Sequence, residues 1–159
     1  MVENDIVQTD EWIRVSEFGE VTPFDELSFE IPDEWRFEYV PSTQALNLYD
    51  TNNDGSTLER SQIFIRYFDA RSFLTLSTVT IHDTEDLTVG REDYVARRYD
   101  IEKKKGVPNF SDQPSWRSVR HIVTDFRAED GFTRYYVVAS RPDLDPAIYT
   151  RVLESMTLR

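Results

Sequence analysis

Residues 118–126, SVRHIVTDF, and 132–140, FTRYYVVAS, are two runs dense in β-branched and aromatic side chains, separated by RAEDG. Such side chains suit a pleated surface, and the Asp130-Gly131 pair supplies the positive backbone angle that a tight reversal needs. The segment predicts an antiparallel hairpin, which commits the chain to a sheet. A second run, SQIFIRYF at 61–68, puts Ile63, Ile65 and Tyr67 on one face and Phe64, Arg66 and Phe68 on the other. Apolar content on both faces marks a strand in the middle of that sheet.

Other segments are read around this pair. FDELSFEIPDEWRFEYV reads as two short strands around a Pro32-Asp33 turn, and the Thr, Val and Ile content of Ser77 to Ile81 favours another, after a helical turn over Asp69 to Leu74. REDYVARRYDIEKKK at 91–105 fits two periods. As a helix it has Glu92 and Asp93 in the first turn, lysines in the last, and Gly106 and Pro108 beyond. As a strand it sets Val95, Tyr99 and Ile101 opposite Tyr94, Ala96 and Arg98. RPDLDPAIYTRVLESM closes the chain with Asp145 as N-cap, Pro146 at the first helical position, and Ile148, Val152, Leu153 and Met156 on one face.

With 159 residues, ten Phe, eight Tyr and three Trp, the chain can bury one full core, so a single domain over 19–159 is expected behind a polar tail or linker at 1–18. Its net charge of −12 repels phosphate, which argues against nucleic acid as a partner. There is no cysteine, hence no disulfide, thiolate metal site or thiol nucleophile. No apolar stretch approaches the roughly 20 residues that span a bilayer. The acidic start suits either a natural tail or a segment that follows a membrane anchor.

SFEIPDEW, IFIRYF, ARRYDIEKK, QPSW with RHIVTDFR, FTRYYVVAS and IYTRVLESM, taken in that order, resemble bacterial members of the PsbP/Mog1-like group. The resemblance covers residues 24 to 158. It implies an α+β fold, a single central antiparallel sheet with helices packed on its faces, and it turns Tyr94 to Glu102 toward strand. It also implies an extracytoplasmic setting, membrane-tethered in the full-length form, and no assigned activity. The group's metal-binding and docking residues have no counterparts here and none is transferred.

Four constellations carry chemistry. In DTNNDGSTLERS, at 50–61, Asp50, Asn52 and Asp54 followed by Gly55 open like an EF-hand loop, which makes calcium the one cofactor to weigh. Ser61 stands where the bidentate glutamate belongs, and strands flank the loop, so a hairpin tip is the plainer expectation. His82 and His121 are the two imidazoles, and a small metal-dependent hydrolase would use one of them with nearby carboxylates. The acidic run HDTED at 82–86 reads as a loop that a divalent ion would visit. Trp116, Arg117, Arg120 and Tyr135 combine aromatic and cationic groups, a composition that binds a protein segment or an anionic group; the same residues also fit a tryptophan packed under the closing helix. No reactive motif stands out, so the expectation is a non-enzymatic binding or accessory domain with a protein partner of unknown identity.

Overall fold

The computed structural model describes residues 11–52, 54–69, 77–127 and 134–158. Two antiparallel sheets build it. The smaller has the order β1-β2-β10, from Trp12–Val15, Leu27–Pro32 and Thr157–Leu158. The larger has seven strands: β3 Trp35–Val40, β4 Ala45–Asp50, β5 Ser61–Asp69, β6 Val79–Val89, β7 Tyr94–Lys103, β8 His121–Arg127 and β9 Arg134–Ser140. Its order is β3-β4-β5-β9-β8-β7-β6, two meanders joined where β5 pairs with β9. One α-helix, α1 at Pro146–Glu154, is present among the described residues.

Alternation along the central strands makes two cores. On the first face Leu46, Leu48, Ile63, Ile65, Phe126, Tyr136 and Val138 meet Leu27, Phe29 and Ile31 of β2 and Tyr149, Val152 and Leu153 of α1. On the second face Phe64, Tyr99, Ile101, Val123, Tyr135 and Val137 meet Trp116, which arrives on the connection between β7 and β8. The Asp145 carboxylate accepts from the Ala147 N–H at 2.9 Å and starts α1, with Pro146 in the first turn.

The expected single sheet with helices on its faces is therefore corrected to two sheets and one helix. The first face is covered by a strand ribbon together with α1, and the second by the connection and its 3-10 turn at Ser115–Ser118. The ribbon arises at Pro32. Proline brings no N–H to continue a ladder, so the chain leaves β2 there, turns, and re-enters the edge of the other sheet as β3. The two strands expected around Pro32-Asp33 thus exist but do not pair with each other. Residues Trp12–Val15, inside the stretch expected to be tail, pair as β1 with β2, and Val15 and Phe18 reach the first core.

The two-period segment is a strand. Tyr94 and Ala96 face the first core and Tyr99 and Ile101 the second, and two-sided burial outweighs end charges worth a few tenths of a kcal/mol. Its helix-like acidic start is the β6–β7 turn, where Gly90 has φ +80° and Asp93 φ +51°. HDTED lies within β6, an edge strand paired to β7, and not in a loop. The helical turn expected over Asp69 to Leu74 and the Asp130-Gly131 reversal fall on segments outside the described residues, apart from Asp69, which ends β5.

Gly90 is the most tightly packed of the described glycines. A Cβ there would sit 2.7 Å from the Tyr94 ring and 2.8 Å from the Met156 carbonyl oxygen, in a left-handed conformation. Gly90→Ala is expected to cost about 2 kcal/mol in urea unfolding, from backbone strain plus displacement of the chain end beside it. An unchanged midpoint would show that this contact yields freely.

Candidate functional site

The second face carries a row of paired positions across the sheet: Ala45 beside Arg66, Arg66 beside Val137, Val137 beside Asp125, Asp125 beside Arg97, and Arg97 beside Asp86. One strand period on, the middle of the next row is apolar or aromatic, with Phe64, Ala139, Val123 and Tyr99, between Asn47 on one side and Thr84 on the other. The middle of this side of the sheet is thus an apolar floor with a line of charge running across it, and Glu38 and Arg127 add charge on the flanking rows.

The β7–β8 connection forms a roof over part of that floor. It turns at Gly106, is tied to the sheet by Lys104 N–H to Thr78 O at 2.9 Å, and ends in the 3-10 turn after Pro114. Trp116 anchors it: the ring is buried and the indole N–H donates to Ser61 O at 3.1 Å. Between floor and roof lies a cavity of about 280 Å³. Phe68, Val79, Ile101, Val123 and Val137 give it an apolar body, Phe110 and Gln113 close it from the roof, and Arg66 and Arg117 enter from opposite layers.

Arg117 is only 8% exposed. Its Nε donates to Gln113 Oε1 at 3.1 Å and its Nη1 to His121 Nε2 at 2.9 Å, while Nη2 donates to no described residue. Burial, and then the neighbouring Arg66 charge, pull its pKa down to about 10, so it stays charged at neutral pH. Arg66 lies over the Phe68 ring at 4.7 Å, reaches Thr43 O at 3.4 Å, and keeps a buried Nε without a described partner. Burial lowers its pKa as well. Among the cavity's described lining residues these two arginines are the sole ionisable groups.

Beside the cavity Asp125 is fully buried on the same face. It accepts from the Tyr135 hydroxyl, its Oδ1 has no described partner, and desolvation pushes its pKa up to about 6 despite Tyr135 and Arg117. His121 is buried too. Its Nδ1 donates to Val119 O at 2.7 Å while Nε2 accepts from Arg117, which fixes the neutral tautomer; burial and then Arg117 pull its pKa down to about 4. Neither ring nitrogen is left to take a substrate proton. His82 sits on β6 and pairs with Glu102 at 3.0 Å, on the exposed edge.

The expected aromatic and cationic patch is divided by this geometry. Trp116, Arg117 and Tyr135 belong to the second face, opposite α1, so the tryptophan does not lie under the helix. Arg120 points out to solvent, where two hydrogen bonds at 3.0 and 2.8 Å hold it to Asp100. The residue missed is Arg66. Its signal was present, one cation on the alternate face of SQIFIRYF between Phe64 and Phe68.

Asp50, Asn52 and Asp54 come together on the rim of an open polar depression of about 590 Å³, which also receives Asp143, Asp145 and Arg141. The Asp50 carboxylate turns back to accept from the Asn52 N–H at 2.9 Å, as in an Asx turn. Arg141 is braced there by Asp143 Oδ1 at 2.7 Å and Glu59 O at 3.1 Å. Among the described residues no group of three or more His, Asp or Glu side chains is arranged to hold a metal ion. The loop is the tip between β4 and β5, with Gly55 at φ +107°.

Comparison with protein-family models, curated proteins and solved structures returns no match.

Proposed function

We propose that the chain is a non-enzymatic binding domain and that its ligand enters the cavity between the second face of the large sheet and the β7–β8 connection. The observation that carries this reading is a walled apolar space into which two incompletely bonded arginines project. Its volume of about 280 Å³ falls just below the roughly 300 to 1,000 Å³ usual for small-molecule sites, which suits a small ligand. Arginine keeps its proton at neutral pH, so the lining supplies charge and hydrogen bonds but no general base. The alternative of a small hydrolase on His82 or His121 finds no such support, because His121 has both nitrogens engaged and His82 is bound to Glu102 at the sheet edge.

Display outside the cytoplasm, on a membrane-anchored protein, belongs to the same proposal and is supported by the PsbP/Mog1-like resemblance. No helix among the described residues is long and apolar enough to cross a membrane. Fractionation of cells carrying the native gene tests the location.

Methyl-resolved NMR with a panel of small apolar and amphipathic fragments tests the cavity. The expected result is saturable shifts confined to Val79, Ile101, Val123 and Val137, whose side chains line it. Shifts gathered instead at Leu144, beside Asp50 and Asp143, or absent for every fragment, would count against the reading.

A further inference from the structure

We infer that the cavity takes an amphipathic organic monoanion, a carboxylate headgroup held between Arg66 and Arg117 with an acyl or aryl body on Val79, Ile101 and Val123; this rests on the cavity being the binding site.

The argument begins with charge balance. Two guanidinium groups, Arg117 buried and Arg66 partly buried, line one cavity, near enough that Arg66 is the leading charge opposing Arg117. Among the described residues no carboxylate is hydrogen-bonded to either. Arg117 spends Nε and Nη1 on neutral acceptors, Gln113 and His121, and among the described residues the hydrogen bond of Arg66 goes to a backbone carbonyl, at 3.4 Å. Asp125 attracts Arg117 from nearby, yet its one satisfied oxygen is taken by Tyr135. Buried charge without a bonded counter-ion is costly, and a protein of net charge −12 has no shortage of carboxylates to supply one. The missing anion is therefore best provided by the ligand.

Donor geometry narrows the headgroup. Arg117 offers Nη2, and Arg66 offers its terminal nitrogen Nη1, a set that matches two carboxylate oxygens. A free phosphate would satisfy the same donors but would leave the hydrocarbon walls unused. Those walls select for a body of modest size. The Phe68 ring, already under the Arg66 guanidinium at 4.7 Å, holds that group in place before any ligand arrives.

The chain's overall negative field does not oppose this. At physiological salt it is screened within about 8 Å, whereas the two arginines act at contact range inside the protein.

Octanoate, octanol and octylammonium share one chain length and differ in head charge, so calorimetric titration of the wild-type protein with the three at pH 7 isolates the headgroup. Octanoate is expected to bind about tenfold or more tighter than octanol, with no saturable binding of octylammonium. Arg117 also braces Gln113 and His121, so Arg66 is the residue to change. Arg66→Met is expected to bring octanoate and octanol to within about twofold of each other while the methyl spectrum stays folded. Equal affinity of octanol and octanoate in the wild type, or equal binding of octylammonium, overturns the anion assignment and leaves the cavity as a site. Failure of all three, without shifts at Val123 or Val137, removes the cavity reading as well. If Arg66→Met does not fold, the wild-type comparison alone decides.

Discussion

Phe126→Ala is expected to lower the unfolding free energy by about 3 to 5 kcal/mol, and the melting temperature by about 10 °C or more. Phe126 is fully buried on β8, whose partners β7 and β9 hold it inside the seven-stranded sheet. Its ring stacks on Tyr94 at 5.9 Å and on Tyr136 at 5.3 Å, and Tyr136 continues the array to Phe24 and Tyr67. Truncation loses the transfer energy of the ring and two aromatic contacts. The neighbours cannot close the gap, because Tyr94 and Tyr136 stand on paired strands and Tyr136 is tethered by its hydroxyl to Pro23 O at 3.2 Å. Against a total stability of about 5 to 15 kcal/mol, such a loss takes much of the margin. Val95→Ala, at a half-exposed position on the adjacent β7, is the control and should change stability by less than about 0.5 kcal/mol. A loss below about 1.5 kcal/mol for Phe126→Ala would mean that the aromatic array repacks and is not the organising core.

Local rules made some of this architecture readable and left its pairing hidden. The central position of β5 follows from Ile63 and Ile65 on one side and Phe64 on the other, since a strand apolar on both faces has to be covered twice. The helix at 146–154 was legible because capping is local chemistry: Asp145 and Pro146 act within one turn. The separation of β2 from β3 was not. LSFEI and WRFEY carry the same alternation, and the choice of partner strand is made by shape and burial far away in the sequence. β7 met a similar difficulty, with end signals for a helix and alternation for a strand, and only tertiary burial decides between them.

The candidate site divides the same way. Trp116 and Arg117 were visible as composition, yet their neighbour Arg120 faces solvent because the 3-10 turn ends at Ser118, between them, and the chain extends toward β8. Arg66 is brought to Arg117 by a contact between β5 and a connection about fifty residues later, a distance that no motif spans.

Asp125→Asn is expected to stabilise the protein at pH 7 by up to about 3 kcal/mol, and to alter how stability responds to acid. Burial holds the Asp125 carboxyl near pKa 6 in the folded chain against 3.8 ordinarily, so between those values the folded state binds a proton that the unfolded state lacks. That contribution is full below about pH 4 and lost as pH rises through about 6. His121 has the opposite sign. Its pKa falls from 6.5 to about 4, so the unfolded state takes up the proton first, and stability present above pH 6.5 is lost as pH falls toward 4. The two windows overlap and their slopes oppose, so in the wild type they largely cancel between pH 4 and 6.5. Asp125→Asn keeps the acceptor for the Tyr135 hydroxyl and leaves the histidine slope alone: stability relative to wild type should shrink on acidification. His121→Gln keeps an acceptor for Arg117 and leaves the carboxyl slope alone, so stability relative to wild type should grow on acidification. Urea midpoints measured at half-unit steps of pH give both difference curves, and the background of other carboxylates is common to all three proteins. Curves parallel to wild type for both variants would mean that water reaches Asp125 and His121, and that the second face around the cavity is wet rather than dry.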